Sequence, residues 1–338
     1  MTALKPLRIG ILGAAKIARQ FVEGVAPSPL VEVVAVASRE KAKAEAFAAD
    51  FAIPRAIGSY EAMLADPDID AVYNPLPNSL HAEWSIKAAA AGKHVLCEKP
   101  LAVSDAEARA MFDAARRHGV HLVEAYPYLA QPQTLKTREL LRSGAIGKPQ
   151  LIRASFGVPF SDPTNIRLMP DLAGGSLMDA GSYCVSFVRV MAGERPSRVQ
   201  AMARWGDTGV DRALLAAIEF PSGLVAQVAS SFTTAYHRQG QIAGDNGIID
   251  TWFLNHPPLG GAPVVQLRQG ATVAAPLETI TVEGGNGFRY EAESFARLVG
   301  GDPAGWNGAT AEESIDIAAT LAALLASARS GIPVALPG

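Results

Sequence analysis

Residues 7–18 read LRIGILGAAKIA, and this segment is the strongest indication of the fold. Its apolar run leads through small residues into a segment of helical composition, which predicts a buried strand, a tight turn and a helix. The backbone N–H groups of such a turn, with the positive end of the helix, can bind the pyrophosphate of a dinucleotide. Gly13 begins the expected glycine pattern, but Ala15 and Ala18 occupy its second and third glycine positions. Taken alone, the segment is also compatible with an ordinary turn between a strand and a helix.

Outward from this turn, short apolar runs alternate with Ala-rich helical segments as far as residue 125. This alternation is typical of strand–helix–strand units around a parallel sheet, so we predict an α/β dinucleotide-binding domain over residues 1–125. Ser104 and Glu107 form a capping-box pattern at the start of one helix. The predicted strands are Leu7–Leu12, Val31–Ala37, Ala71–Asn74, His94–Cys97 and Val120–Val123, and the predicted helices are Lys16–Val25, Arg39–Ala49, Ser79–Ala91 and Ser104–His118.

The pattern changes in residues 126–338, where longer runs alternate between apolar and polar residues. We predict a second domain here, of the α+β class and built on a mostly antiparallel sheet. Pro221, Ser222 and Gly223 separate two of these runs and indicate a hairpin turn. The predicted strands are Gln150–Phe160, Arg198–Arg204, Arg212–Phe220 and Leu224–Phe232, and the predicted helices are Gln131–Arg142, Gly175–Met191, Phe288–Leu298 and Glu312–Arg329.

The length and composition of the chain limit the classes of protein to which it can belong. Its 338 residues are enough for two domains of common size. Hydrophobic residues make up 49% and charged residues 19%, a balance typical of a soluble globular protein. The formal net charge of -3 gives no overall field that would attract nucleic acid or an acidic membrane. We therefore expect neither partner, and we expect any anion site to be local.

The cysteines, histidines and N-terminal segment bear on metal binding and location. Cys97 and Cys184 are far apart and in no metal-ligand spacing, which argues against a disulfide framework and a metal cluster. The histidines show no ligand spacing either, so no metal is expected. The N-terminal segment lacks the regions of a secretion signal, and no stretch reaches transmembrane length. We expect a cytoplasmic protein in a reducing compartment.

The residues after the second predicted strand bear on the choice between NADP and NAD. Ser38 and Arg39 stand where an NAD-binding protein usually has an acidic residue for the ribose hydroxyls. Arg39 and Lys43 lie one helical turn apart and can face a 2′-phosphate, which favours NADP, with NAD possible. They are also compatible with solvated charges at a helix start. The cofactor contacts expected so far are Gly10, Gly13, Ala14, Ala15, Lys16, Ile17, Ser38, Arg39 and Lys43.

Three further segments carry a family resemblance: YNPLPNSLH at residues 73–81, CEKP at 97–100 and GGSLMDAGSY at 174–183. In this order and spacing they resemble the Gfo/Idh/MocA oxidoreductases. The resemblance runs over nearly the whole chain, including residues 124–126, 162–167 and 286–295. Within the family it is strongest to the branch that holds glucose–fructose oxidoreductase, NADP-linked xylose dehydrogenases and dimeric dihydrodiol dehydrogenases.

This resemblance implies both an architecture and an activity. The architecture is a Rossmann domain followed by a domain with a large open-faced sheet, which binds substrate and forms a homodimer or higher homo-oligomer. The activity is hydride transfer between NADP and a sugar or polyol, such as an aldose, an inositol-like compound or a dihydrodiol. Lys99 matches the family's cofactor-side lysine, Tyr183 its catalytic tyrosine and His81 a position near the nicotinamide ribose. A cis peptide before Pro100 is a further expectation from the family.

Lys99, Tyr183 and Asp179 are the catalytic candidates. Oxidation of an alcohol needs a base for the hydroxyl proton while the hydride departs. A tyrosine has a reference pKa of about 10, so it needs help from a cation such as Lys99. Asp179 precedes Tyr183 by one helical turn and can bind a sugar hydroxyl or serve as a helix-surface carboxylate. Glu98 is expected to orient neighbouring backbone or the cofactor.

The remaining candidates follow from their positions along the chain. Ligands of a parallel sheet lie at the carboxyl ends of its strands, so we expect the cofactor to contact the turns after two of the strands. The expected contacts are Asn74, Pro75, Leu76, Asn78 and His81 in one turn, and Glu98 and Lys99 in the other. His81 is equally compatible with structural hydrogen bonds. Expected substrate contacts are Tyr126, Asn165, Arg167 and Asp179, and core packing explains Tyr126 equally well.

The sequence leaves the substrate and two other functions open. Leu129 and Gln131 replace an Arg and a His that this branch of the family often has before its Pro-Gln pair. This departure affects the substrate more than the hydride chemistry. An enzyme that keeps its NADP bound while one sugar is oxidised and another reduced is also compatible with the sequence, as is an NADP-binding sensor without turnover.

Overall fold

The structure, a computed structural model, describes residues 5–162, 164–258 and 261–336. The chain forms two compact units. The first contains the residues up to 102 together with 106–130 and 285–308, and the second contains 103–105, 131–284 and 309 onward.

This division differs from the predicted boundary at residue 125. The first unit continues to residue 130 and also includes the segment 285–308 from late in the chain. Phe288 and Phe295 of that segment are fully buried in the same apolar core as Phe21 and Ile9 near the N-terminus. The apolar face of a late helix therefore completes the core of the first unit. A single boundary along the chain cannot separate the two units for this reason.

The first unit contains six strands and six helices among its described residues. They are β1 (Leu7–Leu12), α1 (Lys16–Val25), β2 (Val31–Ala37), α2 (Lys41–Phe51), β3 (Arg55–Ile57), α3 (Tyr60–Leu64), β4 (Ala71–Asn74), α4 (His81–Ala90), β5 (His94–Glu98), α5 (Asp105–Arg117), β6 (Leu122–Ala125) and α8 (Gly287–Val299).

The predicted Rossmann sheet is confirmed. Its strands are all parallel and lie in the order β3-β2-β1-β4-β5-β6. The sequence does not predict β3, because three half-buried residues are too few to show a period. The strand order reverses between β1 and β4, which is the point of such a sheet where ligands bind at the carboxyl ends of the strands. The turns after β1, β2, β4 and β5 therefore meet at one edge.

The second unit contains the remaining helices and strands. They are α6 (Pro132–Arg142), β7 (Pro149–Gly157), α7 (Ser182–Ala192), β8 (Arg198–Trp205), β9 (Asp211–Glu219), β10 (Val225–Ser231), β11 (His237–Gly244), β12 (Gly247–Thr251), β13 (Val264–Gln269), β14 (Leu277–Thr281), α9 (Ala311–Ser330) and β15 (Val334–Ala335).

The predicted antiparallel sheet is confirmed and is larger than the sequence indicates. Its nine strands lie in the order β14-β13-β12-β11-β7-β10-β9-β8-β15, and only β7 and β10 pair in parallel. Strands β11 to β15 are absent from the sequence prediction. For β11 the reason is its composition, since HRQGQIAG contains two glycines and a single β-branched residue.

The two faces of this sheet differ. Helices α7 and α9 pack on one face, where Leu214 and Ile218 of β9 are buried. Leu215, between them in sequence, points to the opposite face and is exposed, as the two-residue period of a strand requires. Among the helices of the described ranges, none is long and apolar enough to cross a membrane.

Candidate active site

The turn after β1 has the backbone geometry of a phosphate-binding turn. Gly13 has a φ of +99°, in the region that favours glycine. Its N–H donates to the carbonyl of Ala37 over 2.8 Å, which ties the turn to the end of β2. A Cβ on Gly13 would lie 3.2 Å from the side chain of Leu76 in the turn after β4. Gly13 is therefore required both for the turn and for the close approach of Leu76.

The N-terminus of α1 has no side-chain cap. Ala15 stands at the capping position and can make no side-chain hydrogen bond to the first turn. The first N–H groups of a helix need an acceptor, and a phosphate can supply it at the positive end of the helix dipole. The methyl groups of Ala14 and Ala15 leave this end open, and Lys16 is exposed beside it. These residues fit a dinucleotide pyrophosphate.

Gly10, an expected cofactor contact, is closely packed in the structure. It lies inside β1, and a Cβ there would come within 2.8 Å of the Met63 sulfur and 3.1 Å of Ile69. The absence of a side chain at Gly10 therefore allows close packing beneath the turn, and its contact with the cofactor stays a prediction.

The turn after β2 places Arg39 and Lys43 in unlike surroundings. Ser38 is buried, and its hydroxyl accepts a hydrogen bond from the N–H of Glu40 over 3.3 Å. Lys43 forms an exposed ion pair with Glu40, at 2.7 Å. The guanidinium of Arg39 lies beside the hydroxyl of Tyr60; burial raises the pKa of Tyr60, and Arg39 opposes that rise. Tyr60 is a residue of this site that the sequence analysis missed.

His81 links the turns that follow β4 and β5. Its ring is buried, with Nδ1 at 2.8 Å from the carbonyl of Pro100 and Nε2 at 2.7 Å from the carbonyl of Leu76. Burial lowers the pKa of His81 to about 4, and the two carbonyl acceptors oppose that shift. Both ring nitrogens face backbone groups, so the structure favours a supporting role for His81 over direct contact with the cofactor.

Asn74 also supports this edge from within. Its side chain is buried, and Nδ2 donates to the Ser85 hydroxyl over 3.1 Å and to the His81 carbonyl over 3.3 Å. Pro75 and Leu76 are buried above it, and Asn78 begins a short 3₁₀ helix, Asn78–Leu80, that leads into α4. The hydrogen bonds of Asn74 thus stabilise the turn that contains Leu76 and Asn78.

Glu98 holds the backbone that carries Lys99. Its carboxylate accepts from the Tyr73 hydroxyl over 2.6 Å and from the N–H of Lys99 over 3.2 Å. The peptide between Lys99 and Pro100 is cis, as the family resemblance implies. The orienting role expected for Glu98 is consistent with these contacts.

Two further buried glutamates lie close to Glu98. Glu124 accepts a hydrogen bond from the N–H of Leu101 over 2.8 Å. Glu291, on α8, is buried and neither of its carboxyl oxygens has a hydrogen-bond partner. Burial, and then the charges of Glu98 and Glu124, raise the pKa of Glu291 well above its usual value. No sequence pattern relates Glu291 to the other two glutamates, because it stands far from them along the chain.

In the second unit, Tyr183 is held by two residues that the sequence analysis did not single out. Tyr183 lies in the first turn of α7, directly after a π-helical turn, Leu177–Gly181. Its hydroxyl accepts a hydrogen bond from Nδ2 of Asn255 over 3.0 Å. The guanidinium carbon of Arg238 lies 3.8 Å from the centre of its ring. No sequence signal relates these residues, because Arg238 lies on the unpredicted strand β11 and Asn255 in the loop after β12.

The structure brings three of the expected substrate residues together. Nε of Arg167 donates to a carboxylate oxygen of Asp179 over 2.8 Å. The Asn165 side chain accepts from the N–H of Arg167 over 3.0 Å, and the Phe160 ring lies 5.0 Å from the guanidinium. Asp179 is therefore ion-paired. Pro163, in the same loop, lies outside the described residues.

Tyr126 is buried in the first unit. Its ring packs edge-to-face on Tyr128, with 6.1 Å between the ring centres. The packing interpretation of Tyr126 fits this position. Among the residues that the structure describes, no group of three or more His, Cys, Asp or Glu side chains could hold a metal ion.

Comparison with known proteins identifies the family. Residues 7–126 match the family model described as "Oxidoreductase family, NAD-binding Rossmann fold", and residues 134–250 match the "GFO/IDH/MocA C-terminal domain". The chain belongs to the Gfo/Idh/MocA oxidoreductase family.

Relatives of this family span nearly the whole chain. A D-xylose 1-dehydrogenase (NADP(+)) of Haloferax volcanii is 39% identical over 98% of this chain and 100% of its own. A trans-1,2-dihydrobenzene-1,2-diol dehydrogenase of Xenopus laevis is 36% identical over 84% of this chain and 86% of its own.

Solved structures agree with this assignment. The 3-ketoreductase KijD10 of Actinomadura kijaniata, in complex with NADP and TDP-benzene, superimposes with a TM-score of 0.85 at 32% identity, covering 95% of this chain and 98% of its own. Further structures of that reductase carry a Tyr-to-Phe or a Lys-to-Ala substitution. Several close structural neighbours of this family member are thus NADP complexes.

A pocket of about 600 Å³ lies beside the contacts of Tyr183. Its lining includes Arg238 and Asn255, together with the exposed aromatic side chains Tyr236 and Trp252. The roles of all these residues in this member of the family stay predictions, and they are taken up in the proposed function.

Proposed function

We propose that this protein is an NADP-dependent oxidoreductase that transfers a hydride between the nicotinamide and a hydroxyl-bearing carbon of a sugar or polyol. Tyr183 is the acid or base for the hydroxyl proton, and Lys99 assists it. This extends the family assignment to named residues and to a substrate class.

The first unit supplies the residues that would hold the cofactor. Gly13, Ala14, Ala15 and Lys16 would bind the pyrophosphate at the uncapped start of α1. Arg39 would bind the 2′-phosphate that distinguishes NADP from NAD. When bound, NADP supplies the hydride acceptor or donor at its nicotinamide.

Tyr183 moves the proton. In the direction of oxidation its phenolate oxygen takes the proton of the substrate hydroxyl, and in the direction of reduction its hydroxyl returns that proton to the carbonyl oxygen. Lys99 stabilises the phenolate by its charge and donates hydrogen bonds to the substrate oxygen or to the ribose. Glu98 holds the backbone of Lys99 in place for this.

The observation that carries the proposal is a match in spacing with the Actinomadura kijaniata reductase. The lysine and the tyrosine substituted in that NADP-bound enzyme stand as many residues apart as Lys99 and Tyr183 do here. The two chains match over most of their length. This supports the same pair of roles in both proteins.

The ion pair between Arg167 and Asp179 supports the proposed class of substrate. A guanidinium and a carboxylate held 2.8 Å apart offer hydrogen-bond donors and acceptors together, which suits the adjacent hydroxyls of an aldose, an inositol-like compound or a dihydrodiol. The xylose and dihydrodiol dehydrogenases among the relatives act on compounds of this kind. A homo-oligomer formed through the open sheet face is part of the same proposal.

The test is a panel of aldoses, inositols and dihydrodiols with NADP or NAD, followed by the absorbance of the reduced nicotinamide. We expect turnover with NADP and one of these groups. The variant Tyr183→Phe should lose roughly 100- to 10,000-fold in kcat and keep its affinity for NADP, because it removes only the proton-transferring oxygen. A variant with normal kcat would remove Tyr183 from the mechanism.

Two outcomes would favour the other functions. NADP that stays bound through gel filtration, with product formed and no net NADPH, would indicate an enzyme that cycles its cofactor. Tight NADP binding without turnover on the panel or on the matching keto-sugars would indicate a sensor.

A further inference from the structure

Arg238, Asn255 and Tyr183 form a hydrogen-bonded chain in the second unit. Nη2 of Arg238 lies 3.2 Å from Oδ1 of Asn255, and Nδ2 of Asn255 lies 3.0 Å from the Tyr183 hydroxyl. The backbone carbonyl of Asn255 accepts a further hydrogen bond, over 2.8 Å, from the side chain of Gln131. The loop that carries Asn255 is thereby anchored on two sides.

The chemistry of arginine fixes the direction of this chain. A guanidinium has donors and no acceptor, so Asn255 must turn its oxygen to Arg238 and its NH₂ group to Tyr183. The Tyr183 oxygen is therefore an acceptor in this contact, and its own proton is directed elsewhere. A hydrogen bond donated to the oxygen stabilises the phenolate more than the phenol.

The charge of Arg238 acts on Tyr183 directly as well. Its guanidinium lies 3.8 Å from the centre of the Tyr183 ring, and 4.9 and 5.0 Å from the rings of Phe156 and Phe253. Arg238 is only 6% exposed, so water screens its charge poorly. A cation at this distance attracts the ring, and it attracts the negatively charged phenolate more strongly.

Two of the other titratable groups around Tyr183 in this unit favour their neutral forms. Burial raises the pKa of the neighbouring thiol of Cys184 to about 12, so the thiol is neutral near pH 7. Burial and then the charge of Arg238 lower the pKa of His256, which favours its neutral form. His237 forms a hydrogen bond with the Ser155 hydroxyl, and Asp179, which lies one turn before Tyr183, is ion-paired with Arg167.

We infer that Arg238 and Asn255 are positioning residues that stabilise deprotonated Tyr183, Arg238 by its charge and Asn255 by a donated hydrogen bond. The inference rests on the proposed function. It assigns to Arg238, in the second unit, the same stabilising effect on the phenolate that is proposed for Lys99. The contacts with Arg238 and Asn255 stabilise the basic form of Tyr183 even before the cofactor binds.

The experiment is an NMR titration of the full-length protein without added cofactor, carrying ¹³C at Cζ of its tyrosines. The chain has seven tyrosines, and the spectrum of Tyr183→Phe assigns the signal of Tyr183. Arg238→Met should raise the pKa of Tyr183 by about one pH unit or more, since a charge within contact distance typically shifts a pKa by that much. Arg238→Lys, which keeps the charge, should restore most of the wild-type value.

Asn255→Asp keeps the size of the side chain but replaces the donor with a negatively charged acceptor. It should raise the pKa of Tyr183 at least as much as Arg238→Met does. Arg153→Met, on an exposed arginine of β7, is the matched control and should leave the Tyr183 signal unchanged. Unchanged signals from the other tyrosines report that each variant is folded.

The inference is overturned if both Arg238→Met and Asn255→Asp leave the Tyr183 titration within the range of the Arg153→Met control. It is supported if the shifts appear and the pH profile of kcat/KM moves to higher pH by the same amount. Failure of the proposed function has a different signature, because Tyr183→Phe would then turn over normally whatever the NMR titration shows.

Discussion

Arg39 and Lys43 carry the same charge one helical turn apart, yet their surroundings separate them. Lys43 already pairs with Glu40, so a phosphate must compete with that carboxylate. Arg39 lies beside the neutral hydroxyl of Tyr60, which holds it without supplying a countercharge. At this scale the structure therefore favours Arg39 as the residue that recognises the 2′-phosphate.

Arg39→Gln should weaken NADP binding and leave NAD binding nearly unchanged. A charge-assisted contact of about 1.5–3 kcal/mol corresponds to a loss of roughly 10- to 100-fold in Kd for NADP. Lys43→Gln is the matched control and should lose much less. Isothermal titration calorimetry with both cofactors measures this, and equal losses for NADP and NAD would exclude the assignment.

Glu291 gives a prediction about stability. Its pKa is raised in the folded protein, so the folded state keeps the proton at pH values where the unfolded state has lost it. The unfolded glutamate titrates near pH ~4.3. Stability linked to Glu291 is thus fully present below that pH and declines as the pH rises toward the folded-state pKa.

Glu291→Gln should remove this decline, because glutamine has the same shape and no proton to lose. We expect the Tm of the variant to fall less than that of the wild type between about pH 5 and about pH 8. Glu45→Gln, at a half-exposed position on α2, is the control and should follow the wild type. Parallel Tm curves for all three proteins would contradict the burial of an uncompensated carboxyl at Glu291.

At the scale of elements, the turn between β1 and α1 joins backbone geometry to binding. Gly13 has the positive φ that forms the turn, and Leu76 packs against the place where a Cβ would be. A side chain there would strain the backbone and displace the turn after β4. Both effects act on the edge where the uncapped N–H groups of α1 are presented.

Gly13→Ala should therefore lose affinity for NADP as well as stability. Gly119→Ala is a matched control, since Gly119 also has a positive φ, of +67°, but open space around its Cβ position. Both variants should lose about 1 kcal/mol or more in free energy of unfolding. Only Gly13→Ala should bind NADP more weakly, and equal affinities for the two variants would argue against a phosphate site at this turn.

At the scale of the whole molecule, the open face of the nine-stranded sheet carries exposed apolar residues. Met202 of β8 and Leu215 of β9 lie directly opposite each other in the ladder, and they are 67% and 53% exposed. Contiguous exposed apolar residues indicate an interaction surface. We propose that a second copy of the chain covers this face, as the family resemblance implies.

The double variant Met202→Glu, Leu215→Glu should reduce the molar mass measured by light scattering to that of one chain of 35.4 kDa. Two like charges opposite each other on a strand pair cannot be buried without a large cost. Val273→Glu, at a side chain 96% exposed outside the strands, is the control and should leave the assembly intact. An unchanged mass for the double variant would place the interface elsewhere.

Four of the five predicted early strands lie within one residue of the observed strands and the last lies within two, and the four longer helices that flank them are predicted as well. These elements depend on short-range patterns, namely buried runs of four to seven residues and helices with one apolar face. The short helix α3, the strand β3 and the strands from β11 onward are not predicted, because their runs are short or rich in glycine and polar residues. Such strands form because neighbouring strands offer them hydrogen bonds, and the local sequence does not show this.

Local sequence patterns predict the parallel sheet, the turn after β1 and the motifs that contain Lys99 and Tyr183. Each of these features depends on residues that are adjacent in the sequence, so it can be predicted without knowing which distant residues come into contact. Local patterns do not show that α8 completes the first unit, that Glu291 lies close to Glu98 and Glu124, or that Arg238 and Asn255 contact Tyr183; these relations exist only in the folded chain. The physical reason is that these contacts join residues far apart in the chain, and their energies depend on distance and burial in the folded state.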